Sequence, residues 1–249
     1  MALVALIAVT AVWGVTFVQV KDAVAIYPLF AFLAVRYAIA AGALGLAGAP
    51  RVRTLGRSGF MAGAVLGVLG ALGIGLQTAG LHRTTVSSTG FITGLYVVLT
   101  PLFGLLLFRT RVGAEVWAGV ALSIAGLAML SGVPVGSTGG NLLVLVSTTA
   151  QALQIVMVER YARRFDAVAL TLAAMATSCL GFLALAVVRG ELSVPHGWTV
   201  WAGIFGYWLS GDRLGWLGWG GCAAILAGIL LAEPAAAAML RRLNLLSSD

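Results

Sequence analysis

Arg36 is the residue best suited to chemistry in this sequence, because it is a cation about eight residues into an apolar run. A charge inside a membrane-length apolar segment is costly, so it usually faces a cavity or a partner. We therefore predict that Arg36 lines a cavity and binds an anionic group such as a carboxylate. The alternative is that its long side chain reaches the nearer membrane surface, since Asp22 lies too close to that surface to be an assured partner.

Three amides and three aromatic rings also lie in apolar runs. In a membrane an amide hydrogen-bonds either to a neighbouring helix or to a bound molecule, and both roles stay open here. An aromatic ring can stack on a substrate, although helix packing is its commoner role. With Arg36, these side chains complete the predicted substrate-binding set: Trp13, Phe17, Gln77, Tyr96, Gln151 and Gln154.

The remaining reactive residue types favour neither a catalytic site nor a metal site. The two histidines, His82 and His196, fall in loops without the HExxH spacing, and no paired carboxylates lie in apolar runs. Cys179 and Cys222 lie in apolar runs, where a cysteine is most often a small packing residue. We expect no enzyme activity, no disulfide, no metal and no cofactor.

The glycines of one apolar run predict helix packing. Gly59, Gly63 and Gly67 recur every four residues, a spacing that lets another helix approach closely. A cluster further along superficially resembles a nucleotide-binding loop: Gly70, Gly73 and Gly75. It lies within a predicted membrane helix with no strand before it, so we assign it to packing as well.

Apolar residues dominate the composition, with 61% hydrophobic and 9% charged residues, where a soluble domain has about a quarter charged. A helical membrane crossing needs about 20 apolar residues, and such stretches recur between short basic loops. The net charge of +7 could indicate nucleic acid, but 14 of the 15 basic residues are Arg and most lie in those loops. We predict an all-α polytopic membrane protein without a nucleic-acid partner.

Eight apolar runs are long enough to predict membrane spans. They are Leu3–Val20, Leu29–Ala49, Gly59–Leu81, Val86–Phe108, Gly113–Gly132, Leu142–Val158, Ala167–Val188 and Leu214–Ala232. A ninth segment, Trp198–Leu209, has 12 residues and many aromatic rings. It is too short for a comfortable crossing, so we expect it to lie in the interface or to re-enter.

The loop charges predict an orientation. With the N-terminus inside, the inner loops and tail hold ten basic residues and the outer loops hold four. Positive charge favours the cytoplasmic side, so we expect cytoplasmic N- and C-termini and a multi-pass position in the cell inner membrane. No basic residue precedes the first apolar run, which we therefore interpret as a retained helix rather than a signal peptide.

The sequence matches itself at two offsets. At an offset of 102 residues, Arg111 aligns with Arg213 and Trp117 with Trp219. Near the start the better offset is 139, where Lys21 meets Arg160. We interpret these matches as a duplication of a five-span unit, the odd-numbered repeat that gives inverted topology in secondary transporters. The difference between the two offsets predicts that 37 residues are missing from the second copy, near Ile204.

Several short motifs resemble those of a known family. They are Trp13-Gly14, Arg36, Gly80-Leu81, Thr84-Thr85, Gly90-Phe91-Ile92-Thr93-Gly94-Leu95, Thr100-Pro101-Leu102, Trp117-Ala118-Gly119 and Gly211-Asp212-Arg213-Leu214. Together they resemble the EamA-like branch of the drug/metabolite transporter superfamily over almost the whole chain. The resemblance implies a ten-helix fold of two inverted five-helix repeats, and export of small metabolites, often amino acids, across the bacterial inner membrane. The chain departs from that pattern in the second repeat, where the eighth and ninth helices of the ten-helix fold are expected.

The resulting prediction is a carrier that works by alternating access around a midplane cavity. We expect a first repeat at 1–132, a linker at 133–140, an incomplete second repeat at 141–234 and a cytoplasmic tail at 235–249. The expected partners are a small-molecule substrate and membrane lipid, and the small-residue helix faces allow a homodimer. The alternative is a truncated member of the same family that does not transport.

Overall fold

The computed structural model describes residues 16–109, 113–131 and 136–205, most of which are helical. The first described helix, α1, covers 16–26. The others are α2 Leu29–Val52, α3 Gly56–Arg83, α4 Val86–Gly94, α5 Tyr96–Phe108, α6 Ala114–Ser131, α7 Thr138–Ala162, α8 Ala167–Val188 and α9 Trp198–Phe205. Trp13 and the predicted span Leu214–Ala232 lie outside the described residues.

Local sequence explains several helix ends. The side chains of Thr85, Ser137 and Asp166 each accept a hydrogen bond from a backbone N–H in the first turn of the helix that follows. At the end of α8, Gly190 adopts a φ of 65°, and the next residue, Glu191, donates its N–H to the carbonyl of Ala186 at 2.8 Å. That pairing is a Schellman motif, which needs a residue that tolerates left-handed backbone.

Five of the described helical stretches are long and apolar enough to cross a membrane. They are Leu29–Leu46, Gly56–Arg83, Val86–Phe108, Thr138–Ala162 and Ala167–Val188. Each overlaps a span expected from the sequence, which confirms a multi-pass helical membrane protein. The fourth predicted span is interrupted at Leu95, between α4 and α5, and Pro101 lies inside α5. The described part of the short aromatic segment is α9, with 8 residues.

The helices run back and forth between two ends of one bundle. At one end, Thr84 follows α3 and forms an isolated antiparallel bridge with Gly136, just before α7. At the other end, Arg51 near the end of α2 pairs with Asp166 at the start of α8, with 3.9 Å between nitrogen and oxygen. We name these the Thr84 end and the Arg51 end. The predicted orientation places the Arg51 end in the cytoplasm.

Helix α3 lies at the centre of the described bundle, where it packs against α7 and α8, and α2 packs along α8. The glycines of α3 allow this close approach. A Cβ at Gly63 would lie 2.6 Å from the Cβ of Ala173, and one at Gly67 would lie 2.5 Å from the carbonyl oxygen of Ala174. The predicted packing role of these α3 glycines is therefore confirmed.

Candidate functional site

A cavity of about 220 Å³ lies among α1, α2, α3 and α8. We call it the first cavity. Three residues of the predicted binding set line it: Phe17 from α1, Arg36 from α2 and Gln77 from α3. The other described residues that line it are Thr16, Val20, Tyr37, Ala40, Ile74, Thr78, Leu81 and Met175. Residues more than 40 positions apart in the chain therefore meet at one concave surface.

Arg36 supplies the positive charge of this surface. It follows a fully buried stretch of α2 from Ala31 to Ala34, so its side chain leaves the helix beside the core rather than at a helix end. Within the described part of the chain, no hydrogen bond or ion pair joins its guanidinium to another residue. Asp22, the acidic residue considered from the sequence, is exposed on α1 and does not pair with it.

Gln77 is held rigidly at the cavity wall. Its side chain is 4% exposed, and its Nε2 donates to the hydroxyl of Thr93 on α4 at 2.8 Å. Thr78, the next residue, donates its own hydroxyl to the carbonyl of Ile74 at 2.8 Å. An amide fixed by a neighbouring helix can present its remaining oxygen without a large loss of rotamer entropy.

A second cavity of about 160 Å³ lies nearer the Arg51 end, among α2, α3, α7 and α8. Gln154 lines it and donates Nε2 to the carbonyl of Leu66 at 3.0 Å. Ser178, also in its wall, donates to the carbonyl of Gly67 at 2.7 Å. The α3 backbone can come this close to Gln154 because Gly70 has no side chain, and a Cβ there would lie 2.6 Å from the amide nitrogen.

The two cavities are neighbours. Tyr37 from α2 and Met175 from α8 line both of them. The Tyr37 ring also packs against Phe182, with ring centroids 5.3 Å apart and planes tilted by 60°. Neither Tyr37 nor Met175 was in the predicted set. The 139-residue offset pairs Arg36 with Met175, and that signal could have identified Met175.

The other predicted residues lie elsewhere. Gln151 packs against Gly73, where an added Cβ would lie 2.7 Å from the Cγ of Gln151. The Nε2 of Gln151 is buried and has no hydrogen-bond partner among the described residues. Tyr96 begins α5 and lines neither cavity. The structure thus groups Phe17, Arg36 and Gln77, and it places Gln154 in the adjoining cavity.

A solved structure named only "Crystal structure of protein" has a similar fold, with a TM-score of 0.60 at 21% sequence identity. The alignment covers 93% of this chain and 83% of the other. A protein of Archaeoglobus fulgidus named "Uncharacterized transporter" is 36% identical over 163 residues, which are 66% of this chain and 49% of the relative. The chain thus spans about half the length of this curated relative.

The family model of the EamA-like transporter family matches residues 1–132. That range covers more than half of the chain and includes three of the four helices that surround the first cavity. The chain belongs to the EamA-like transporter family.

Proposed function

We propose that this protein is a membrane transporter that exports small metabolites such as amino acids from the cytoplasm across the inner membrane, by alternating access. Arg36 binds the substrate carboxylate, and the first cavity encloses the rest of the molecule. The observation that carries the proposal is the meeting of Arg36, Gln77 and Phe17 on one cavity wall. These residues offer a cation, an amide and an aromatic ring to one bound molecule.

The charge of Arg36 is the strongest part of the case. Insertion of an arginine at the centre of a membrane helix costs about 2.5–3.5 kcal/mol on translocon scales. A planar guanidinium can recover that cost by forming two parallel hydrogen bonds to a carboxylate. In the first cavity no described acidic side chain takes that place, so an anionic substrate group can.

The size of the first cavity indicates a small substrate. Between its described walls, the first cavity has a volume of about 220 Å³. Sites for drug-sized ligands begin near ~300 Å³. A molecule with the dimensions of an amino acid fits this limit better than a large amphipathic drug does.

The packing of α9 supports two inverted repeats. Helix α3 packs against α7 and α8, and α9 packs against α2 and α1. A Cβ at Gly203 of α9 would lie 2.6 Å from the Cβ of Ala23. The offset of 139 residues aligns α1, α2 and the start of α3 with α7, α8 and α9. Each third helix therefore contacts the first two helices of the other predicted copy, as a two-fold relation requires.

Transport assays test the proposal directly. We would measure uptake of radiolabelled amino acids into inside-out vesicles that contain this chain, Arg36→Lys or Arg36→Ala. Loss of a charge-assisted bond predicts a roughly 10- to 100-fold lower uptake for Arg36→Ala. The uptake of Arg36→Lys should lie between that of the parent chain and that of Arg36→Ala, because lysine keeps the charge and loses the planar guanidinium.

The matched control is Arg57→Ala, which removes an exposed arginine at the start of α3. Its uptake should equal that of the parent chain. Equal uptake by the parent and Arg36→Ala would contradict the role of Arg36. Uptake only after the 37 predicted missing residues are restored would instead favour the truncated, non-transporting protein.

A further inference from the structure

Two side chains from different helices lie where the two cavities adjoin. Tyr37 and Met175 line both cavities, and they belong to α2 and α8, which pack along each other. The first cavity reaches toward the Thr84 end through Leu81 of α3. The second reaches toward the Arg51 end through Ala162 and Ala167. The two cavities therefore follow one another along the bundle.

The two cavities differ in charge. Arg36 lines the first cavity, whereas the described residues that line the second include no charged one. Three polar side chains of the second cavity donate to backbone carbonyls: Gln154 to Leu66, Ser178 to Gly67, and Thr171 to Ala167. If the proposed function holds, an anionic substrate group binds at Arg36 in the first cavity, and the described lining of the second cavity offers no further cation to bind it.

The side chains at the boundary are able to move. Met175 has an unbranched, flexible thioether that fills irregular gaps and changes rotamer easily. The Tyr37 ring packs against Phe182 in a tilted geometry, and this contact defines its position. A rotation about χ1 of Tyr37 would move the ring away from Phe182. Side-chain rotations of this kind are much faster than the domain motions of a transport cycle.

We propose that Tyr37 and Met175 form a gate that separates two compartments of one substrate path. The first compartment holds the carboxylate of the substrate at Arg36, and the second connects it to the Arg51 end. The gate rests on the proposed transport function. It adds that passage requires displacement of these two side chains, in addition to any movement of the helices.

Cysteine accessibility tests the gate without requiring transport. In the full chain with Cys179→Ala and Cys222→Ala, single cysteines are placed at Thr171, which lines only the second cavity, or at Thr78, which lines only the first. A sulfonated methanethiosulfonate reagent is then applied to right-side-out and to inside-out vesicles. All later comparisons use the side of the membrane from which the reagent labels Thr171→Cys faster.

From that side, Thr78→Cys should react slowly while Tyr37 and Met175 are present. The double replacement Tyr37→Ala and Met175→Ala should accelerate its labelling by roughly tenfold or more, because the barrier at the boundary is removed. Thr171→Cys should keep its rate. Tyr37→Phe keeps the ring, so it should leave the Thr78→Cys rate unchanged.

Two results would overturn the gate. One is equal labelling of Thr78→Cys and Thr171→Cys from the chosen side with Tyr37 and Met175 intact. The other is an unchanged Thr78→Cys rate in the double variant, or in single Met175→Ala if the double variant does not give a monodisperse protein. Gated labelling without amino-acid uptake would instead reject the transport function and leave the two-compartment geometry standing.

Discussion

At the Thr84 end of the bundle, hydrogen bonds join segments far apart in the chain. The ammonium of Lys21 on α1 donates to the carbonyl of Thr84, and the Thr84 hydroxyl donates to the side-chain oxygen of Asn141 at 2.6 Å. The hydroxyl of Tyr27 donates to the carbonyl of Ser193 beyond α8. These bonds connect α1, α3 and α7, and they connect the α1–α2 turn to the segment after α8.

Among the described residues, the connections at the Arg51 end are weaker. Arg51 and Asp166 are separated by 3.9 Å, and both side chains are well exposed. The pair Glu159 and Arg163 joins the last turn of α7 to the residue that follows it and connects no two helices. The guanidinium of Arg160 lies over the ring of Phe108 at 4.7 Å. Exposed ion pairs contribute only about 0–1 kcal/mol to the free energy of unfolding, so they stabilise the packing of these helix ends only slightly.

The buried core follows the same division. The largest cluster includes Tyr27, Phe32, Leu81 and Phe182 and lies toward the Thr84 end. The two clusters toward the Arg51 end contain three buried residues each. Because few groups must separate at the Arg51 end, we expect an alternating-access cycle to open that end at lower cost from the conformation described. Four substitutions test this difference, in descending order of expected effect.

Gly80→Val should cause the largest loss of stability. A Cβ at this position would lie 2.6 Å from Cγ2 of Val144 and 2.8 Å from the carbonyl oxygen of Gly140, so α3 and α7 would be forced apart at the Thr84 end. Overpacking against backbone predicts a cost of about 3 kcal/mol. Thermal unfolding in detergent measures it. Gly42→Val is the matched control, since no atom lies within 4 Å of the added Cβ. Equal melting temperatures for the two variants would contradict the close approach.

Lys21→Met should be the next most harmful change. It removes a charged donor from the carbonyl of Thr84, a residue that is 4% exposed, and keeps most of the side-chain length. Hydrogen bonds to charged groups contribute about 1.5–3 kcal/mol. The free energy of unfolding in a denaturant titration should fall within that range. No change would show that the ammonium is dispensable at the Thr84 end.

Asp166→Ala should cost about 1 kcal/mol through loss of a helix cap rather than of an ion pair. Asp166 Oδ1 accepts from the backbone N–H of Ala169 at 2.9 Å at the start of α8. Asp166→Asn keeps the acceptor and removes the charge, so it should be nearly as stable as the parent. If Asp166→Asn lost as much stability as Asp166→Ala, the ion pair with Arg51 would matter more than its exposure indicates. Both free energies come from the same denaturant titrations.

Arg51→Met should have the smallest effect, about 0.5 kcal/mol or less, because its exposed pairing with Asp166 is screened by water and salt. Melting temperatures at low and high salt provide the measurement. The parent and the variant should converge as ionic strength rises. A loss as large as that of Lys21→Met would remove the contrast between the two ends.

The positions of most helical spans could be predicted from the sequence, because each described span is an apolar run bounded by polar or basic residues. The predicted span Ala167–Val188 has the same bounds as α8. The break at Leu95 could not be read in this way. Apolar content is continuous from Val86 to Phe108, whereas the tertiary structure places a contact from another helix beside the break, where the Thr148 hydroxyl of α7 donates to the carbonyl of Ile92 at 3.2 Å. Hydropathy alone carries no information about such contacts.

Residue types and their local spacing were enough to identify a helical membrane protein and its family, and they led to the prediction that Arg36 binds substrate. Which polar residues share a cavity wall depends on how the helices pack. That packing brings Arg36 and Gln77 together, keeps Gln151 in a helix interface, and makes Tyr37 and Met175 a common boundary. The physical reason is that helices of similar hydropathy can pack through several faces. The glycines of α3 select one face by allowing the backbone of α3 to approach α7 and α8.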